Sequence, residues 1–211
     1  MGVKEIFILS DTNIEGAKSL PLITQRFFSP PLDLSRYDYL IFTSKRGVDA
    51  IDRITDKWKS LPAFAVGEAT ARRIEELGGK VVEVSSGYGE DLAKRVIQSG
   101  QKGGYLVVRP KEVVTQVADI LHSYGIEAEE AILYETLCQE CGKLQKPPQG
   151  SVIIFSSPST VRCFLECFGW DESYKAVAIG YKTARALPPF IQAHIPPTPT
   201  FQACVELAKK L

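Results

Sequence analysis

The sequence predicts an α/β protein made of two similar parallel-sheet domains. Three observations predict it. Phe42-Thr43-Ser44-Lys45-Arg46-Gly47-Val48 is echoed by Phe155-Ser156-Ser157-Pro158-Ser159-Thr160-Val161. Ala65-Val66-Gly67-Glu68-Ala69-Thr70-Ala71-Arg72 is echoed by Ala178-Ile179-Gly180-Tyr181-Lys182-Thr183-Ala184-Arg185, and both echoes keep an offset of 113 residues. Short apolar runs alternate with helical periods between them, which is the pattern of a parallel sheet covered by helices. A period this long marks a duplicated domain, since solenoid repeats run about 20–50 residues.

The elements follow in order. Strands are expected at Glu5–Leu9, Tyr39–Thr43, Ala63–Val66, Lys80–Val84, Tyr105–Arg109, Glu130–Glu135, Val152–Ser156, Ala176–Ile179 and Ala193–Ile195. Most are unbroken Val, Ile and Phe runs, as in strands buried on both faces. Helical spacing covers Gly47–Ile54, Thr70–Leu77, Asp91–Gln98 and Val113–Tyr124, with Gly78-Gly79 and Gly125 as stop signals. The first strand precedes copy one, so a domain built from both termini (1–25 and 138–211) encloses one built from the middle (32–131). Extended crossings at 26–31 and 132–137 would join them, with Pro30-Pro31 and Pro147-Pro148 stiffening nearby chain.

Bulk properties narrow the function. The 211 residues are 45% apolar and 24% charged, with 25 basic and 25 acidic side chains. A net charge of zero argues against nucleic acid or an anionic membrane as partner. No apolar run approaches the ~20 residues needed to cross a bilayer. The Met1–Ser10 segment reads as a strand, without a signal peptide or a myristoylation site at Gly2. Five cysteines, an odd number, predict free thiols in a reducing compartment. Cys138 and Cys141 read as incidental thiols, and Cys163 and Cys167 as helix core.

Each repeat runs from a strand through hydroxyl residues into a helix start. Ser44, Ser157, Ser159, Thr70 and Thr183 therefore stand at carboxyl ends of strands or just beyond, where open α/β sheets bind ligands. Helix N-termini there favour anions; plain N-capping is the alternative role for the same residues. Lys45, Arg46, Arg72, Arg109, Lys111, Lys182 and Arg185 lie beside these ends, with Arg109 closing the Tyr105–Val108 strand. The set suits a polycarboxylate ligand held in the cleft expected between the domains. Tyr134, in the second crossing, is either a neutral donor near that cleft or a packed strand aromatic. No phosphate-binding loop or nucleophile elbow is found in the sequence, and Cys138-Gln139-Glu140-Cys141, which has the spacing of a redox or metal pair, lacks a second cysteine pair at zinc spacing.

These blocks, with Arg109-Pro110, Gly125-Ile126-Glu127-Ala128 and Tyr134-Glu135-Thr136 between them, resemble the uroporphyrinogen-III synthase family over nearly the whole chain. The resemblance implies two flavodoxin-like α/β lobes joined by a two-stranded linker. It also implies a cofactor-free, cytoplasmic, monomeric lyase without metal, acting on a polycarboxylate tetrapyrrole. Hydroxymethylbilane would be cyclised with inversion of ring D, Tyr134 assisting departure of the hydroxyl. Ser44, Lys45, Thr70, Arg109, Ser157, Ser159 and Thr183 would bind substrate. The chain departs from the family pattern at Arg46, where Asn is usual, and in the trimmed stretch after Thr183. A two-domain protein that closes on a small polyanion without chemistry is the rival reading.

Overall fold

A computed structural model describes residues 4–85, 89–113 and 115–211. In chain order the strands and helices are β1 (Ile6–Ile8), β2 (Lys18–Ser19), β3 (Ile23–Phe27), β4 (Tyr39–Phe42), α1 (Lys45–Asp52), β5 (Pro62–Val66), α2 (Glu68–Glu76) and β6 (Lys80–Ser85). They continue with α3 (Gly89–Ser99), β7 (Tyr105–Pro110), α4 (Val117–Ser123), β8 (Ala128–Cys138), β9 (Val152–Phe155) and α5 (Pro158–Phe168). The chain closes with β10 (Lys175–Ala178), α6 (Tyr181–Ala184), β11 (Ala193–His194) and α7 (Phe201–Ala208).

Two compact units result: 1–24 with 137–211, and 25–136. The discontinuous unit holds a sheet ordered β11-β10-β9-β1-β2, and the continuous unit one ordered β3-β8-β7-β4-β5-β6. Apart from β3 these orders correspond strand for strand. β4 and β9 begin and end 113 residues apart, and each pairs in parallel with the strand that follows it in its copy. On the other side of β4 lies β7, and on the other side of β9 lies the N-terminal strand β1. The second copy thus borrows its last two strands from the start of the chain.

Alternation of side chains explains the unbroken apolar runs. Leu40 and Phe42 face one layer with Val48, Ile51 and Trp58, while Ile41 faces the other with Phe64, Leu92 and Val107. In the other unit Ile153 and Phe155 pack with Val161 and Phe164, and Val152 and Ile154 with Cys204 and Val205. Both faces of each central strand are buried, so neither face needs polar residues.

All nine expected strands are present, with ends shifted by at most three residues. Two were missed. β2 has only two residues, both exposed, so no apolar run announces it. β3 ends at Phe27, earlier than the 26–31 crossing expected, because Pro30 and Pro31 offer no N–H to a ladder. It runs antiparallel to β8: Phe28 N–H donates to the Leu133 carbonyl, and Gln139 N–H to that of Leu22, both at 2.8 Å. The helix expected at 113–124 starts at Val117, and Val114 lies outside the described residues, as does the Met1-Gly2-Val3 start of the N-terminal reading.

The cysteine expectation is overturned. Cys138–Cys163 and Cys141–Cys167 are disulfides with Cα separations of 5.3 and 5.0 Å, and only Cys204 is a free thiol. The reason is geometric: Cys163 and Cys167, four apart on α5, share one helix face, and the loop after β8 lies along it.

Candidate active site

In the continuous unit the sheet order reverses direction between β4 and β7, the point where open α/β sheets form a crevice at their carboxyl ends. Ser44 follows β4 there. Its backbone is extended (φ −163°, ψ 157°) and it begins α1, yet its side chain makes no capping bond. The hydroxyl instead lies 2.7 Å from the phenol oxygen of Tyr134. Tyr134 is 4% exposed and comes from β8, two strands away. Its ring tilts against Phe27, and Phe27 in turn lies under the Arg53 guanidinium.

Register explains how Tyr134 arrives there. β7 and β8 run in parallel until the pairing shifts after Arg109, so that Pro110 stands opposite Tyr134. Lys111 N–H then donates to the Tyr134 carbonyl at 2.8 Å. Arg109 braces this corner: it pairs with Glu130 at 2.7 Å and donates to the carbonyls of Pro110 (2.9 Å) and Lys111 (3.1 Å). Its side chain is only 13% exposed. On the opposite face of β8, buried Glu135 pairs with Arg26 and Lys111.

Burial pushes the Tyr134 phenol above its ordinary pKa, while the Ser44 bond and the nearby Arg46 charge pull the other way. The phenol therefore stays protonated at neutral pH. Between α1 and α2, Lys45, Arg46, Asp49, Arg72, Arg73 and Glu76 line a hollow of about 440 Å³. Arg73 is held by Asp49 at 2.7 Å and Glu76 at 3.1 Å. Lys45, Arg46 and Arg72 have no ion pair among the described residues, leaving three positive charges for an outside anion. Thr70 is buried in the first turn of α2, which starts at Gly67.

The discontinuous unit repeats the plan. Ser157 follows β9 with the backbone of Ser44 (φ −165°, ψ 163°), but its hydroxyl is occupied: it accepts from Thr160 N–H at 3.3 Å in a capping box. Ser159 lies in the first turn of α5, half-buried, with no hydrogen-bond partner among the described residues. Thr183 is buried in the first turn of α6, the position of Thr70. At the β1–β9 reversal stand residues that sequence reasoning passed over. Ser10 Oγ donates to Thr12 Oγ1 at 3.0 Å, and Ser156 Oγ to the Leu9 carbonyl at 3.1 Å. Their signal was visible in Ser10-Asp11-Thr12 after the first strand, had that strand been placed beside β9. Tyr181, 72% exposed beside Gly180, was also passed over.

The structure thus joins Ser44 to Tyr134, sets Lys45 beside them, and assigns Arg109 and Ser157 to bracing and capping. Hydroxyls and unpaired cations at strand ends can hold carboxylates, and a neutral buried phenol can donate a proton. Comparison with known proteins bears on what substrate that would be. The family model described as uroporphyrinogen-III synthase HemD matches residues 19–206. The uroporphyrinogen-III synthetase of Helicobacter pylori matches at 29% identity over 99% of both chains, with a TM-score of 0.85. A mutant uroporphyrinogen III synthase of Thermus thermophilus matches at 13% identity over 99% of this chain and 98% of that one, with a TM-score of 0.62. No curated protein matches.

Proposed function

The chain belongs to the uroporphyrinogen-III synthase family, and on that premise we propose that the Ser44–Tyr134 pair is the acid that starts its reaction. The reaction closes hydroxymethylbilane to uroporphyrinogen III with inversion of ring D, a step of haem biosynthesis. The ring A hydroxyl leaves as water and an azafulvene cation remains. The substituted carbon of ring D attacks it, and the spiro intermediate fragments and recloses the other way round. On this reading the enzyme is a lyase that needs no cofactor, because the substrate supplies both the leaving group and the nucleophile. It acts as a monomer in the cytoplasm on two flavodoxin-like lobes joined by a two-stranded linker.

The roles divide by what each side chain has left to offer. Tyr134 is nearly sealed and Ser44 half-buried, so Ser44 meets the departing hydroxyl and Tyr134 supplies the proton through it. Lys45, with Arg46 and Arg72, holds carboxylates of the substrate; Ser159, Thr70 and Thr183 shape the backbone turns that receive others. Arg109 holds the strand end from which Tyr134 is presented, and Ser157 holds the start of α5. Ordering the flexible chain so that ring D attacks before simple closure is the larger part of the catalysis.

The observation that carries this reading is the 2.7 Å contact between Ser44 and Tyr134 at the reversal of the sheet. The test is incubation with hydroxymethylbilane and separation of the product isomers. Isomer III is expected from the wild-type chain. Tyr134→Phe should turn over about a hundredfold more slowly, a typical loss for a general acid, with the spontaneous isomer I rising in proportion. Unchanged turnover in Tyr134→Phe would reduce the phenol to packing, and isomer I alone from the wild type would defeat the activity.

A further inference from the structure

We propose that, when reduced, Cys138 at the end of β8 and Cys163 on α5 form with Glu166 and a sulfur of the neighbouring cysteine pair a binding site for one thiophilic divalent cation of the zinc type. The sulfurs of Cys138 and Cys163, here joined as a disulfide, and a carboxylate oxygen of Glu166 lie within 4.8 Å of one another. Cys138 and Cys141 have the two-residue spacing common in zinc sites. The second pair, Cys163 and Cys167, is separated by one helical turn, a spacing that places two ligands on one face. The sequence shows the first pair but not the second, because Cys163 and Cys167 read as helix core.

A second observation points to a ligand. Glu166 Oε2 is 3.1 Å from Cys138 Sγ. A sulfur in a disulfide has no proton to donate, so this anionic oxygen faces a lone pair. A cation shared by both atoms answers that contact, and so completes a mixed sulfur and oxygen set. Cys138 and Cys163 as thiolates and Glu166 as carboxylate supply three ligands, and reduction of the Cys141–Cys167 disulfide frees a sulfur one helical turn along α5 for the fourth. The free thiol Cys204 lies in another core layer and takes no part; burial pushes its pKa up to about 11.

Disulfide and metal are alternative states of the same sulfurs. Each disulfide treated with a phosphine and water gives two thiols and one phosphine oxide. Each thiol that then binds the cation releases its proton. The site is remote in kind from the proton-donating pair and does not depend on the activity assigned above.

The probe is cobalt(II), added to the phosphine-reduced full chain without oxygen. One equivalent is expected to bind, with an intense sulfur-to-cobalt charge-transfer band, and zinc is expected to displace it. Glu166→Gln changes an exposed side chain and should leave folding intact. It is expected to weaken cobalt binding at least about tenfold, as losing even an outer-shell partner does, and to shift the visible bands. Cys138→Ser should abolish the one-equivalent endpoint and Cys204→Ser should leave it. Absence of the charge-transfer band in the reduced wild type would overturn the proposal. So would binding of equal strength and colour in Glu166→Gln.

Discussion

At the scale of single residues, buried phenols give the chain a defined alkaline limit. Burial raises the pKa of Tyr105, Tyr134 and Tyr174, and burial with the Glu129 bond raises Tyr37 to about 12. An unfolded tyrosine titrates near 10. The folded state therefore holds more protons than the unfolded one above that pH, and stability must fall as pH rises. The contribution is complete below pH 10 and is lost between about 10 and 12. Denaturant midpoints at pH 9 and 11 should differ accordingly, with phenolate absorbance rising on unfolding at pH 11. The duplicated glycines offer a second residue-scale contrast. Gly67 has φ +75°, ψ 150°, a region open essentially to glycine alone, whereas Gly180 is ordinary extended backbone at φ −171°. A Cβ meets nothing within 4 Å at either. Gly67→Ala should thus cost about 1–3 kcal/mol from backbone strain, and Gly180→Ala should leave the thermal midpoint unchanged.

At the scale of elements, the two copies spend equivalent hydroxyls differently. Ser157 closes a capping box on α5; Ser44 leaves α1 without a side-chain cap and turns to Tyr134. Ser157→Ala should therefore lower stability by about 1 kcal/mol, read as a shift in the urea midpoint at unchanged slope. Central strands were legible because both faces carry apolar residues: Tyr39–Phe42 and Val152–Phe155 could be read from letters alone. The edge strand at Lys18–Ser19 was not, since exposed positions carry no pattern. Site residues followed the same division. Positions after central strands were found from local order, but the Ser44–Tyr134 bond spans 90 residues and depends on a register shift that no local pattern encodes. The same limit applied to the cysteines: their partners are set by where a loop crosses a helix. Arg109, chosen for its charge, is held by Glu130, a partner sequence reading gave no reason to connect.

At the scale of the molecule, duplication accounts for the matching sheets, and chain order accounts for their difference. The unit 25–136 is continuous and has its own two-layered core. A fragment of residues 22–139, which keeps β3 and β8 whole, should fold cooperatively by itself. Far-ultraviolet dichroism and a sigmoidal urea transition would show it; a molten or aggregated fragment would mean that the cores are not independent. The complementary pieces, 1–24 and 137–211, should be unstructured when separate. β1, with only three residues, is the neighbour of β9 in the middle of their sheet, so neither piece has a complete sheet without the other.

That arrangement imposes an order on biosynthesis. β1, which has only the two-residue β2 beside it at first, must wait for its central neighbour until residues 152–155 have been translated. The unit 25–136 can settle meanwhile. A chain cut after residue 139 would then carry one folded body with residues 4–21 left unstructured.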